Sequence, residues 1–343
     1  MDHDQQSIHA FDLSPDDWAA LVVQNRSERH LRMPCCSARV ALKTSRKGTR
    51  FFAHMADGGC QTAPETEAHL RLKQMAVEAA RAHGWEAGTE VPGLAPDGET
   101  WMADVLARKG RAGVAVEIQW SPQTVEETLR RQQRYRASGI RGLWLLRKTA
   151  VPAIEQLPSA IVLEGPNQTY DVALSSGQKM PVRSLLDAAF SGRLKFGVPR
   201  GTAGTVSVRV APVNCWHDRC RSDTDIISGI DLVFGPYKRE VSIAEFGGRE
   251  PLLRFICDHI PAGLRIGAIK HRFSKTAGAA YLSNGCVKCD RLYGEHFEIF
   301  ARYNERVACV IPIRATDAWR DLQGDRRAWG VFQRQELASS NLR

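Results

Sequence analysis

The sequence lacks every segment that would tie the chain to a membrane. No run of about 18 apolar residues occurs, so no transmembrane helix is expected. The first residues, Met1 to Gln6, have neither the basic region nor the apolar region of a secretory signal. We therefore expect a cytoplasmic protein with no membrane partner.

Other patterns are absent as well. There is no internal repeat, no low-complexity tract and no His-Glu-x-x-His motif, and the last absence weighs against a zinc-dependent hydrolase. The hydrophobic content of 43% and the charged content of 25% are ordinary for a globular protein. A chain of 343 residues is long enough for two domains or three small modules.

The formal net charge is strongly positive, at +9. A basic protein of this kind suits a nucleic-acid partner, because phosphates attract clustered lysine and arginine. The alternative is a basic surface that only keeps the protein soluble. Charge alone does not separate these two interpretations.

The chain divides into four segments by composition and pattern. We predict an N-terminal cysteine-containing module over residues 1–60 and an α/β domain over residues 61–150. Residues 151–200 are rich in proline, glycine and serine and are predicted to be a connector. Residues 201–343 are predicted to form a strand-rich module with cysteines near both of its ends.

Alternating helical and strand periodicities indicate the elements of the α/β domain. They are a helix over Pro64–His83, strands over Trp85–Val91, Trp101–Arg108 and Gly113–Trp120, a helix from Ser121-Pro122 to Ser138, and a strand over Gly142–Leu146. Ser121 suits the N-cap and Pro122 the first helical position. The last strand–helix–strand unit needs a helix lying across the sheet, so a compact α/β core follows.

The two middle strands form a hairpin that carries acidic residues. Glu117 and Gln119 alternate with apolar residues and so share one face of their strand. A two-residue turn that begins at Gly110 would be of type II′, and its register places Asp104 directly opposite Glu117. The alternative is a longer turn over Lys109–Gly113, which would shift this pairing. No basic residue of the strands lies on that face, so a divalent cation would relieve the repulsion. The alternative is a solvent-facing hairpin with two ordinary acids.

Residues 50–147 resemble the competence protein CoiA-like family, a branch of the PD-(D/E)XK nucleases. The ordered motifs that carry the resemblance are Phe51-Phe52-Ala53-His54, Glu65-Thr66-x-x-His69-x-x-x-Lys73, Ala103-Asp104-Val105, Ala115-Val116-Glu117-Ile118-Gln119-Trp120-Ser121, Arg131-x-x-x-Tyr135 and Leu143-Trp144-Leu145-Leu146. The resemblance implies a restriction-endonuclease-like core of helix, three-stranded meander, helix and strand. It also implies Mg²⁺- or Mn²⁺-dependent hydrolysis of DNA phosphodiester bonds, as an endo- or exonuclease.

The same resemblance assigns roles to residues. Asp104 and Glu117 would bind the metal, and Gln119 stands where many relatives of this fold have lysine. Glu65 on the first helix would face the same site. His69 and Lys73 follow on the same face of that helix, and Lys73 is a candidate for the missing positive group. For His69 the alternative is a packed helix histidine.

The second helix of the domain carries a basic set. Arginine binds phosphate well because its planar fork is always charged. We expect some of these arginines to contact DNA, and the family pattern adds Tyr135. The alternative is a helix face that only contacts solvent. The candidate DNA-binding residues are Arg130, Arg131, Arg134 and Tyr135.

The nine cysteines are an odd number, and disulfides are not expected in the cytoplasm. Two close pairs, Cys215 with Cys220 and Cys286 with Cys289, predict a structural zinc site of four thiolates. The wide spacing of the first pair leaves His217 as an alternative ligand. The other interpretation is four buried thiols without a metal. A second candidate metal site combines Cys35, Cys36, His54 and Cys60.

Two functions of different classes follow from these patterns. The first is a metal-dependent DNA nuclease with a zinc-ribbon-like C-terminal module, acting with DNA-uptake or recombination proteins. The second is a DNA-binding protein that retains the nuclease fold without efficient cleavage. The uncharged Gln119 keeps the second hypothesis open.

Overall fold

The fold is that of a computed structural model of the chain. It describes residues 8–33, 36–46, 48–55, 66–121, 123–147, 157–166, 169–324 and 328–337. The chain separates into two compact units, one ending at Leu194 and the other beginning at Lys195. The first unit contains both the N-terminal segment and the segment predicted to be the α/β domain. Across the described residues, no helix is long and apolar enough to cross a membrane.

The first unit combines four helices with nine strands in its described part. The elements are α1 (Pro15–Glu28), β1 (Val40–Thr44), β2 (Arg50–His54), α2 (Glu67–Ala82), β3 (Glu86–Leu94), β4 (Thr100–Lys109), β5 (Ala112–Gln119), α3 (Val125–Ala137), β6 (Ile140–Leu146), β7 (Ser159–Glu164), β8 (Tyr170–Leu174), β9 (Lys179–Pro181) and α4 (Val182–Phe190). From α2 to β6 the chain follows the predicted order of helix, three strands, helix and strand.

A mixed sheet of seven strands forms the centre of the first unit. Its strand order is β3-β4-β5-β6-β7-β8-β9. The meander β3-β4-β5 is antiparallel, whereas β5 pairs in parallel with β6, and α3 makes the crossover between them. The aromatic side chains Tyr135 and Trp144 lie fully buried in the core between α3 and the sheet.

The hairpin of β4 and β5 has the predicted register. Lys109 pairs with Ala112 across a two-residue turn, in which Gly110 has a φ of +56°, and the ladder continues to the pair of Val105 and Val116. The described ladder ends there. At the next position the predicted pairing of Asp104 with Glu117 is not part of the described ladder. The side chain of Asp104 instead accepts a hydrogen bond from the backbone N–H of Ile118.

The start of α3 corrects the sequence-based N-cap. The hydroxyl of Thr124, and not that of Ser121, accepts a hydrogen bond from an N–H of the first helical turn, that of Glu127, at 3.1 Å. Serine and threonine both suit this position, so the sequence offered two caps three residues apart. Pro122, the predicted first helical residue, lies outside the described residues. The α2 helix is likewise capped by Thr66.

Residues 151–200 correct a second expectation. In place of a connector, the described part of this segment adds the strands β7, β8 and β9 to the sheet and packs α4 beside them. Alternate residues such as Ala160, Val162 and Val172 are buried, as in a half-buried strand. The strands are short and separated by turn residues, so composition alone does not reveal their period.

The second unit is rich in strands, as the sequence predicts for residues 201–343. Its elements are β10 (Leu194–Phe196), β11 (Ala203–Asn214), β12 (Asp223–Phe234), β13 (Tyr237–Val241), α5 (Glu250–Asp258), β14 (Lys270–Ser274), β15 (Ala279–Gly285), β16 (Leu292–Tyr293), α6 (Glu295–Ala301), β17 (Arg306–Arg314), α7 (Asp317–Gln323), β18 (Trp329–Val331) and α8 (Arg334–Leu337). The strands form a four-stranded sheet β13-β12-β11-β17, a three-stranded sheet β14-β15-β16 and the pair β10-β18.

The core of the second unit lies on one face of its four-stranded sheet. Phe234, Phe246 and Phe332 are among the fully buried side chains there. A smaller cluster joins the end of β11 to the end of β15 and includes Cys215 and Cys286. The cysteine pairs therefore lie at the point where two sheets meet.

Candidate functional site

Asp104 lies where the strands β4 and β5 stop pairing. Its Oδ2 atom accepts a hydrogen bond of 2.7 Å from the backbone N–H of Ile118 and lies 3.4 Å from Nε2 of His69. Its Oδ1 atom lies 3.7 Å from Nζ of Lys73. Burial opposes ionisation of this carboxyl group, but the contacts with His69 and Lys73 outweigh it and lower the pKa of Asp104 to about 2. Asp104 is therefore ionised at neutral pH.

Glu117 is the most deeply buried acid of the site, with 1% of its side chain exposed. Its Oε2 atom lies against the guanidinium group of Arg131, and its Oε1 atom accepts a hydrogen bond from the hydroxyl of Tyr135. Burial, followed by repulsion from Asp104, raises the pKa of Glu117 to about 8. The two neighbouring carboxyl groups thus have pKa values displaced in opposite directions, a pattern common at catalytic sites.

The surroundings of the two acids correct the expectation that no basic group lies beside them. The strands indeed supply none, but His69 and Lys73 reach Asp104 from α2, and Arg131 reaches Glu117 from α3. These contacts come from helices packed on the sheet, and strand register alone does not predict which helix side chains lie next to a given strand residue. The repulsion between the acids is therefore partly compensated within the chain.

Lys73 is a buried cation, with 3% of its side chain exposed. Its ammonium group contacts the carboxylates of Glu90 and Asp104. Glu90 was not among the residues that the sequence indicated. It occupies the position between two β3–β4 pairs, Thr89 with Val105 and Val91 with Ala103, and this register places it opposite Asp104. The sequence did carry one indication of its role, because Glu90 is the only charged residue of β3 after Glu86.

Glu90 also departs from ordinary strand geometry. Its φ is +52°, in the left-handed region that non-glycine residues seldom adopt. Such a conformation is unfavourable by about 1–3 kcal/mol and is most often kept at functional sites. In this chain it accompanies the contact of the Glu90 carboxylate with Lys73.

Gln119 lies on the same side of β5 as Glu117. Its amide nitrogen donates a hydrogen bond of 2.6 Å to the carbonyl oxygen of Ser121. Its amide oxygen lies 3.5 Å from Nη1 of Arg131. Arg131 in turn lies over the ring of Trp144, at 5.3 Å from its centroid. Gln119 thus lies beside the acids, and Glu65, the remaining predicted residue of this site, lies outside the described residues.

The four predicted DNA-binding residues occupy different environments. Arg130 pairs with Glu127 on the exposed face of α3, and Arg134 pairs with Glu99. Arg131 points to Glu117, and Tyr135 is buried beneath the same carboxylate. Tyr135 is buried and its hydroxyl bonds to Glu117, so the structure does not present this side chain to DNA. Arg130 and Arg134 remain predicted DNA contacts.

An apolar cavity of about 420 Å³ lies beside the site. Lys73 and Glu90 form part of its wall, together with Phe11, Phe51 and Phe52. This volume is within the range of small-molecule sites, about 300–1,000 Å³. The cavity therefore brings aromatic surface next to the ammonium group of Lys73.

The four predicted zinc ligands converge in the second unit. The sulfur atoms of Cys215, Cys220, Cys286 and Cys289 all lie within 4.8 Å of one another. The distances from Cys215 to Cys289 and from Cys220 to Cys286 are 3.5 Å and 3.7 Å. Four thiolates around one tetrahedral zinc ion would be about 3.8 Å apart, given a Zn–S bond of about 2.3 Å. The cluster can therefore hold a metal ion such as zinc.

Backbone geometry supports the same interpretation of the cysteines. Burial opposes ionisation of Cys286, but the N–H groups of Cys289 and Lys288 outweigh it and lower the pKa of that thiol to about 6. A thiolate is the form that binds metal. Among the described residues the group of ligands consists of the four cysteines and does not include His217.

The second candidate cysteine site stays a prediction. Cys35 and Cys60 lie outside the described residues. Cys36 is exposed, and His54 ends the strand β2.

Comparison with known proteins gives one finding for the first unit. Residues 65–158 match the family model described as competence protein CoiA, nuclease-like domain. The resemblance to the CoiA-like family is thereby confirmed for this segment, which runs from the residue before Thr66 to the residue before β7. Searches of curated proteins and of solved structures found no match.

Proposed function

We propose that the CoiA-like, nuclease-like domain at residues 65–158 hydrolyses phosphodiester bonds of DNA with Mg²⁺ or Mn²⁺. The observation that carries the proposal is the pair of acids Asp104 and Glu117, whose pKa values are lowered and raised at one point of the sheet. The proposal includes a restriction-endonuclease-like core, which the order of α2, the meander, α3 and β6 supports.

The donor set fits a divalent cation. Mg²⁺ usually takes one or two carboxylates from the protein and completes its shell with water and phosphate oxygens. Asp104 is ionised, whereas burial and repulsion from Asp104 favour the protonated form of Glu117. Glu117 would become a second carboxylate ligand on losing that proton. A cation bound there would polarise the phosphate and lower the pKa of a water molecule.

The remaining residues of the site supply charge and orientation. Lys73 brings an ammonium group to within 3.7 Å of the Asp104 carboxylate, where it can stabilise negative charge on a phosphate. The amide of Gln119 can orient a water molecule without adding charge. The neighbouring cavity, with its phenylalanine side chains, would accept a nucleobase of the bound strand.

Cleavage assays test the proposal. Purified protein should cut labelled single-stranded, duplex or branched DNA only with added Mg²⁺ or Mn²⁺. Asp104→Ala, Glu117→Ala and Lys73→Met should each reduce the rate by about 10²-fold or more, the usual loss for a group that acts in the transition state. Glu86→Ala, an exposed acid on β3 away from the site, is the matched control and should cleave normally.

The outcome that contradicts the active-site assignment is full cleavage by both the Asp104 and the Glu117 variants. Circular dichroism of each variant separates loss of activity from loss of folding.

A second candidate function is DNA binding without cleavage. Two contacts favour it: Arg131 occupies the Glu117 carboxylate, and Gln119 donates its amide to the backbone at Ser121. Wild-type protein that binds duplex DNA but leaves it intact with either metal would support this function over the first.

For the second unit we propose a structural zinc ion held by Cys215, Cys220, Cys286 and Cys289. The description of the matched family names competence, and on that basis we propose that the whole protein acts in DNA uptake or recombination.

A further inference from the structure

Trp216 lies on the first cysteine loop, between Cys215 and Cys220, and is unusually exposed for a tryptophan. Its side chain is 46% exposed. The indole N–H donates a hydrogen bond of 3.0 Å to the carbonyl oxygen of Leu292, and the guanidinium group of Arg291 lies 5.3 Å from the ring centroid. The ring is therefore held against Arg291 and Leu292, which follow the second cysteine pair, while almost half of it faces solvent.

The second cysteine loop, between Cys286 and Cys289, has a similar character. Val287 is 45% exposed, and the next residue, Lys288, is exposed as well. Tips of metal-binding loops need neither a tryptophan nor a valine to hold their metal, because the cysteine sulfurs and backbone N–H groups do so. Metal binding therefore does not account for the exposed apolar side chains at the two tips.

Basic side chains surround the two tips. The surface formed by Trp216, Arg219, Arg221, Val287, Lys288 and Arg291 is here named the knuckle surface. Asp218 pairs with Arg221 at 2.9 Å, and Asp290 pairs with Lys270 and Arg272 of β14. In the ion pairs of the described residues, no carboxylate partners Arg219, Lys288 or Arg291. Three uncompensated cations outweigh the two negative charges of a zinc ion with four thiolates.

We infer that the knuckle surface is a second nucleic-acid site, which binds single-stranded DNA. An exposed aromatic ring stacks on a nucleobase, and the surrounding cations contact the phosphates. A single strand offers the faces of its bases, whereas a duplex hides them in its stack. This site is separate in chemistry from the pair Asp104 and Glu117 and does not depend on cleavage.

The test measures binding of the full-length, zinc-loaded protein to fluorescently labelled single strands by anisotropy. The buffer contains no added Mg²⁺ or Mn²⁺, which keeps the proposed nuclease inactive. Trp216→Ala should weaken binding by about fivefold to a hundredfold, the range for removal of one stacked base. Trp216→Phe retains a ring and should stay close to wild type. Val287→Glu adds a negative charge at an exposed position and should also weaken binding.

Matched controls lie elsewhere on the same unit. Tyr303→Ala removes an exposed aromatic residue outside the knuckle surface, and Arg200→Ala removes an exposed cation. Both should bind as the wild type does. Replacing Arg219 and Lys288 together with alanine should reduce the slope of log affinity against log salt by about 0.7 for each phosphate that the protein no longer neutralises.

Several results would overturn the inference. One is an unchanged affinity in both Trp216→Ala and Val287→Glu when elemental analysis shows that each retains its zinc. Another is an equal reduction of affinity in Tyr303→Ala, and a third is duplex binding as tight as single-strand binding with the same dependence on Trp216. Asp104→Ala should leave this binding intact, so failure of the proposed nuclease and failure of this site give different results.

Discussion

Replacing Glu117 with glutamine should remove most of the dependence of stability on pH in the first unit. The carboxyl group is buried, and burial with repulsion from Asp104 raises its pKa from 4.5 to about 8. A group whose pKa is higher in the folded than in the unfolded chain stabilises the fold only while it is protonated. Its contribution is full below pH 4.5 and is lost as the pH rises through about 8. Glutamine keeps the shape of the neutral form at every pH.

The magnitude follows from the same two pKa values. One pKa unit corresponds to about 1.4 kcal/mol. The rise from 4.5 to about 8 therefore corresponds to about 5 kcal/mol, which the wild type should lose relative to Glu117→Gln between about pH 4.5 and pH 9. Asp104 does not contribute over this interval, because its pKa of about 2 leaves it ionised throughout.

Urea unfolding followed by tryptophan fluorescence, in parallel at pH 5, 7 and 9, measures the difference. Glu127→Gln is the matched control on α3, since Glu127 is solvent-facing and its pKa is lowered by the hydrogen bond from Arg130. That variant should follow the wild type at all three values. If Glu117→Gln also runs parallel to the wild type, then Glu117 is ionised throughout, and its ion pair with Arg131 outweighs burial. The pKa values of Asp104 and Glu117 would then not be displaced in opposite directions.

Two further predictions concern the cysteines and Gln119. Purified protein should contain about one zinc ion per chain. The double variant Cys286→Ser, Cys289→Ser should lose the zinc and unfold part of the second unit, because metal binding and folding are coupled in such sites. A zinc-free protein with this unit still folded would contradict the prediction. Gln119→Lys should fold and cleave at least as fast as wild type, whereas Gln119→Leu should be slower by about 10²-fold in cleavage assays. Wild-type rates in the leucine variant would make Gln119 a bystander.

Local sequence patterns were sufficient to predict the features that depend on residues close together in the chain. The meander and its register came from alternation in two strands and from Gly110, whose positive φ the turn requires. The cysteine pairs came from spacing. Both features depend on residues close together in the chain or on one chemical type, so a single sequence is sufficient to find them.

Other features could not be predicted, because the sequence is compatible with more than one local structure at those positions. Ser121 and Thr124 are both suitable caps three residues apart, and the sequence alone does not show that Thr124 is the one used. The strands β7 to β9 are stabilised by pairing with β6 and with one another, which their short apolar alternation does not reveal. Glu90, which contacts Lys73, adopts a positive φ, a conformation that no propensity favours for glutamate.

Under the proposed nuclease function, Lys73 would supply the positive charge that Gln119 lacks. Gln119 stands where the resemblance to PD-(D/E)XK nucleases places a lysine, and its amide is held by Ser121 and lies near Arg131. Lys73, on α2, brings its ammonium group to Asp104 from the other side of the carboxylate pair. A charge acts through distance and not through sequence position, so a helix lysine 3.7 Å from the acid can replace a strand lysine. If so, Lys73→Met should be inactive in the wild-type background and regain part of its cleavage when combined with Gln119→Lys. No recovery in the folded double variant would mean that Lys73 serves Glu90 and the fold rather than the reaction.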